Sequence, residues 1–131
     1  MADEKRREID EWMSRVAHDL RAAEAVLVLS PPLTDVAVFH CQQAAEKALK
    51  AFLVAHDVLF DKVHDLRVLV RTCRAIEPSF ADLDEASRIL TPYAVRFRYP
   101  AEPIDPSLDE ANEALGLARS FVQKVEEFLP D

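Results

Sequence analysis

Residues 34–56, TDVAVFHCQQAAEKALKAFLVAH, read as a helix that is apolar around most of its girth. Val38, Cys41, Ala45, Ala48, Leu49 and Phe52 make one face, and Ala37, Ala44 and Ala51 widen it. Such a helix belongs at the centre of a bundle, with neighbours on most sides. Thr34 is a good N-cap for it, and Asp35 suits the positive end of its dipole. The polar exceptions Gln42, Gln43, Glu46, Lys47 and Lys50 need a reason to be there, because buried amides and charges are costly unless bonded or paired. Two readings are open. In one, Glu46 pairs with Lys50 along the helix and the amides bond neighbouring helices. In the other, Gln43 and Lys47, at i and i+4, line a groove or a dimer interface.

Outward from that helix, the chain divides into four more helical segments. Residues 4–29 carry Ile9, Trp12 or Met13, Val16, Leu20, Ala23 and Leu27 at spacings of three and four, one apolar stripe on a long helix that Ser30, Pro31 and Pro32 stop. After a loop over residues 57–63, a third helix over residues 64–76 turns Leu66, Leu69, Val70 and Cys73 toward the core. A fourth spans residues 80–95, with Pro92 bending it, and residues 96–106 form a proline-rich connection. Ser107 and Glu110 make a capping box for the last helix. There Leu108, Ala111, Leu115, Ala118, Val122, Val125 and Leu129 form a coiled-coil-like seam. The expected fold is all-α, an up-and-down bundle of four to five helices in a single domain over residues 1–131.

Composition agrees. One glycine in 131 residues, Gly116, is too few for the tight turns of a sheet protein. A chain of this length buries roughly two thirds of its unfolded surface, enough for one core. Cys41 and Cys73 sit in apolar helical patterns and match no zinc spacing, so they read as reduced, buried thiols. No metal and no cofactor is expected. The charged N-terminus has no apolar leader, and no apolar run approaches the ~20 residues of a membrane span, which makes the expected location cytoplasmic. A net charge of −8 argues against generic binding to a phosphate backbone, although arginines gather between positions 67 and 98.

Three further constellations could carry chemistry. His64, at the start of the third helix, either bonds a neighbouring helix or acts as a base or ligand group, since histidine titrates near neutral pH. His64, Arg67, Arg71 and Arg74 recur at i, i+3, i+7 and i+10, a basic stripe that is either a solvated face or a surface for phosphates or an acidic helix. Arg96, Arg98 and Tyr99, interleaved with Tyr93 and Phe97, offer a phosphate fork beside a stacking ring, or simply close one end of the bundle.

Trp12 with Ala17-x-Asp19-Leu20, the run from Phe39-His40 through Gln42-Gln43-Ala44-Ala45-Glu46-Lys47-Ala48-Leu49-Lys50-Ala51, Val63-His64-Asp65-Leu66, and Leu90-Thr91-x-Tyr93-Ala94-Val95-x-Phe97-Arg98-Tyr99-Pro100 together resemble the HEPN domain family. The resemblance covers nearly the whole chain in order. It implies a bundle that dimerises around a groove, nucleotide binding or RNA cleavage, and pairing with a minimal nucleotidyltransferase in a toxin–antitoxin-like module. Members that cleave RNA carry an arginine followed, a few residues on, by a histidine. Here the corresponding positions after Arg98 are Pro103, Ile104 and Asp105, and no histidine occurs downstream. The resemblance therefore implies a nucleotide- or partner-binding module, with no catalytic residue assigned and Gln43, Lys47, His64, Arg96, Arg98 and Tyr99 as ligand-binding candidates. The alternative is a ribonuclease using Arg98 with a non-standard acid or base.

Overall fold

The computed structural model describes residues 2–97 and 105–130. Five α-helices run in the order α1 (Asp3–Leu27), α2 (Thr34–Ala55), α3 (Leu66–Ile76), α4 (Asp84–Leu90) and α5 (Leu108–Phe128), with no strand among the described residues. The all-α bundle is as expected. Helix α2 is its spine: 14 of its 22 residues are buried, and it packs along α1 on one side and α5 on the other. Its alanines at 37, 44, 45, 48 and 51 are all fully buried, and their small side chains let both neighbours approach closely.

One end of the core is aromatic. Phe52 of α2 meets Phe80 at 4.5 Å between ring centroids, and Phe80 meets Phe128 of α5 at 6.0 Å. Placing Phe80 there shapes the chain around it. Residues 80–95 do not form the single helix expected. Pro78–Leu83 is a 3-10 helix, α4 follows for seven residues, and Thr91–Ala94 is a second 3-10 helix. Phe80 and Leu83 are both buried three residues apart, which suits the tighter 3-10 repeat. Pro92 lacks the N–H that an α-helical bond back to residue 88 requires, so the α-helix ends at Leu90.

Three other expectations are corrected at helix starts. Leu33, not Thr34, occupies the cap of α2, and the Thr34 side chain makes no capping bond. Asp65 caps α3 by accepting from the Arg67 N–H at 2.9 Å, which leaves His64 outside the helix. Leu108, expected in the α5 seam, is 47% exposed, because it precedes the first buried turn. The capping box is as read: Glu110 N–H donates to Ser107 Oγ and Ser107 N–H donates to the Glu110 carboxylate, both at 3.0 Å.

The exit of α2 is built without glycine. Asp57 takes a left-handed backbone, φ 56°, while Val58 N–H bonds Leu53 C=O at 3.0 Å and Asp57 N–H bonds Val54 C=O at 3.1 Å. This is the hydrogen-bond pattern of a Schellman turn, with a short polar side chain where glycine is usual. Lys5 of α1 then clasps the turn, donating to the Asp57 carboxylate at 2.8 Å and to Ala55 C=O at 3.4 Å.

Candidate functional site

Among the described residues, two carboxylates lie inside this bundle, and each is held by one lysine and one histidine. Asp19 projects from the buried side of α1, its side chain only 8% exposed. His40 and Lys47, two turns apart on α2, meet it from the same face: Nδ1 of His40 lies 2.8 Å from Oδ1, and Nζ of Lys47 donates to Oδ2 at 2.7 Å. Glu46, 5% exposed, accepts from Lys50 Nζ at 2.9 Å and faces His64 Nδ1 at 3.1 Å, both at Oε2, while Gln42 Nε2 donates to Oε1 at 3.2 Å. The Gln42 amide also donates to the His64 carbonyl at 3.2 Å, and Gln43 donates to Gln42 Oε1 at 2.7 Å. An ionised carboxylate only accepts, so in both pairs Nδ1 carries the proton. Each imidazole is thereby oriented with Nε2 pointing away from its carboxylate, and His64 has 66% of its side chain in solvent.

This network explains the polar residues on a buried helix. The expected Glu46–Lys50 pair is present, and Gln42 and Gln43 bond around it. Lys50 is sandwiched further, its ammonium 5.9 Å from the Trp12 ring and 5.5 Å from the Phe60 ring. Asp19 and His40 were not among the site residues read from sequence. The signal for Asp19 was present as an acid amid Val16, Leu20 and Ala23 on the apolar stripe of α1.

Of the described site candidates, Gln43 and Lys47 lie on α2, His64 lies just before α3, and Arg96 follows the Thr91–Ala94 3-10 helix. Gln43 and Lys47 are half-buried beside His40, and His64 lies by Glu46. Arg96 is exposed, its guanidinium 4.8 Å from the Phe97 ring, and Phe97 lines a shallow cleft of about 160 Å³ with Val36 and Phe39 near the start of α2. Arg98 and Tyr99 lie outside the described residues.

The arginine stripe keeps its three members on α3 but loses His64. Most of its charge is taken locally. Arg67 grips Asp65 through Nε at 3.1 Å and Nη2 at 2.8 Å, which holds that carboxyl below its ordinary range. Arg74 pairs with Asp84 of α4 at 2.9 Å, and Arg88 pairs with Glu85. Arg71 alone in this group has no ion-pair partner among the described residues. The four arginines border a cleft of about 250 Å³ between α3 and α4.

No group of histidine, cysteine or acid side chains among the described residues has the arrangement of a metal site, and none of their helices is long and apolar enough to cross a membrane. A bundle spined by a helix with two carboxylate–lysine–histidine clusters defines a class of helical module whose polar side chains are fixed from within. The HEPN domain model matches residues 9–128, and the chain belongs to that family. Two solved structures are similar over nearly all of it. The Thermus thermophilus protein TT1696 is 33% identical with a TM-score of 0.76, covering 91% of this chain and 96% of that one. ST0689, an archaeal HEPN homologue, is 21% identical with a TM-score of 0.72, covering 91% and 95%, a likeness of fold. No curated protein matches the chain.

Proposed function

We propose that this chain is a non-catalytic HEPN module, a cytoplasmic homodimer whose task is to bind a protein partner, a minimal nucleotidyltransferase in a toxin–antitoxin-like pair. The observation that carries this reading is the state of the two lysines on the central helix. Lys47 and Lys50 are held at 2.7 and 2.9 Å by Asp19 and Glu46. A phosphate group would have to pull either ammonium from a buried carboxylate, leaving Asp19 with His40 alone or Glu46 with His64 and Gln42, and breaking a buried pair from one side is costly. The sequence supports the non-catalytic part: an acid–base cleavage of RNA needs a proton-moving group near the phosphate-holding arginine, and no histidine follows Arg98. A second reading, a nucleotide held at the edge of the bundle, is favoured by Arg96, whose exposed guanidinium lies against an aromatic ring beside α2.

The test combines three measurements on the purified chain. Light scattering should give the mass of a dimer, and a co-expressed nucleotidyltransferase should co-purify. Thermal unfolding against nucleotides and short RNAs should show no shift. A ligand at a hundred times its dissociation constant adds about 2.7 kcal/mol, several degrees for a domain of this size. Such a shift, present in wild type and absent in Arg98→Ala, would replace the partner reading with the nucleotide one. Arg98-dependent RNA cleavage would overturn both.

A further inference from the structure

The surface where α1 passes the turn after α2 has apolar walls and an acidic rim. A cleft of about 640 Å³ opens between Trp12, Val54, Val58, Leu59 and Phe60, within the size range of ligand sites. It continues along α1 into a second hollow of about 280 Å³ that shares Glu8 and Trp12 and reaches Arg15. The run from Glu8 to Arg15 is two helical turns, ~10 Å of groove. Leu59 stands at its edge 98% exposed.

The walls are tied to one another by contacts within the chain. Trp12 and Phe60 meet edge to face at 5.9 Å, and Lys50, anchored on Glu46, lies under both rings. Lys5 ties the turn to α1 through Asp57. An apolar surface held open in this way costs little further ordering when a ligand enters.

The rim selects the ligand. Glu8 and Glu11 are exposed and have no ion-pair partner among the described residues, while Lys5 and Lys50 are already engaged. Arg15, one turn beyond Glu11 on α1, is the one cation lining the second hollow among the described residues. An anionic ligand, nucleic acid or acidic membrane surface alike, would meet two carboxylates against a single guanidinium. We propose that this groove docks a basic amphipathic helix of a protein partner, its apolar residues between Trp12 and Leu59 and its lysines or arginines against Glu8 and Glu11. Helices lie in grooves in this manner through apolar anchors at i, i+3, i+4 and i+7. The proposal deepens the partner-binding reading by naming the surface and the chemistry of what it receives.

Trp12 is the chain's one tryptophan, so its fluorescence reports directly on the groove. The probe is a synthetic helical peptide with leucine on one face and lysine on the other, titrated into the full chain. The expected result is a saturable spectral change that weakens with added salt. It should weaken by about tenfold or more, 1.4 kcal/mol, in the Glu8→Lys/Glu11→Lys variant and in Leu59→Asp. Both variants alter exposed side chains, and circular dichroism should show an unchanged helical fold. A leucine/glutamate peptide and a short single-stranded RNA should leave the fluorescence unmoved. No response to the leucine/lysine peptide, equal response to the leucine/glutamate one, or undiminished binding by both variants would overturn the proposal. If the wild-type chain meanwhile remains dimeric and co-purifies with its nucleotidyltransferase, the groove assignment fails and the proposed function stands.

Discussion

Glu46 is buried with three hydrogen-bonding neighbours, and the consequences of removing it depend on which neighbour is stranded. Lys50 is the critical one, with only 8% of its side chain in solvent, whereas His64 can turn to water. Breaking a buried pair from one side costs about 3–5 kcal/mol, because the remaining charge has no partner. Glu46→Ala should therefore lower stability by about that amount in urea unfolding. Glu46→Leu/Lys50→Met, which removes both charges and keeps volume, should recover most of it. A double variant no better than the single would mean that the pair itself is a large net stabiliser. The two cysteines act at a different pH. Burial pushes the Cys41 and Cys73 thiols from 9.0 up to about 12, and burial also raises Tyr93. Each folded value lies above the unfolded one, so these groups leave stability intact below pH 9 and withdraw it as pH rises toward 12. Unfolding free energy measured over that range should fall, and fall less steeply in Cys41→Ala/Cys73→Ala. Equal slopes would show that the thiols are not the groups responsible.

At the scale of elements, the turn after α2 carries a testable strain. Asp57 sits at φ 56°, where a residue with a branched Cβ is disfavoured by about 1–2 kcal/mol. Asp57→Val should cost at least that much in thermal unfolding, while Asp57→Gly should stay near wild type, trading an exposed ion pair for a relaxed backbone. Equal melting of the two variants would show that backbone strain is not what decides this position. Signals confined to a few neighbouring residues were legible in the sequence: Ser107 and Glu110 announce their own capping box, and Pro31 and Pro32 announce the end of α1. The apolar girth of α2 was equally plain. What the sequence hid depends on distant partners. Residues 80–95 have helical composition, yet Phe80 must reach Phe52 and Phe128, and that demand tightens the backbone into 3-10 turns. His64 looked like a helical residue of the arginine stripe because nothing local says that Asp65 will cap. The site followed the same rule. The Glu46–Lys50 pair, within one helix, could be read directly, whereas the Asp19 cluster needs residues 21 and 28 positions apart in the chain to meet.

Over the whole molecule, the arrangement of ion pairs matters more than the charge of −8. The sequence places several arginines between 67 and 98, and a linear reading would let them act together on a polyanion. In the folded chain, Asp65, Asp84 and Glu85 each neutralise one of Arg67, Arg74 and Arg88, so the cleft between α3 and α4 offers Arg71 as its unopposed cation among the described residues. Counterion release makes the distinction measurable, because the logarithm of affinity for single-stranded nucleic acid changes with the logarithm of salt by about −0.7 per phosphate contact. Whatever weak association a short labelled RNA shows, Arg71→Ala should reduce the slope by about one contact, ~0.7. Arg67→Ala, Arg74→Ala and Arg88→Ala should change it little, since each removes a charge already balanced and frees the acid beside it. If each of the four variants instead lowers the slope by a similar amount, the ion pairs open in solution and the cluster binds as one. The α3–α4 face would then be a nucleic-acid surface, and the acidic groove on α1 would no longer be the chain's principal interaction site.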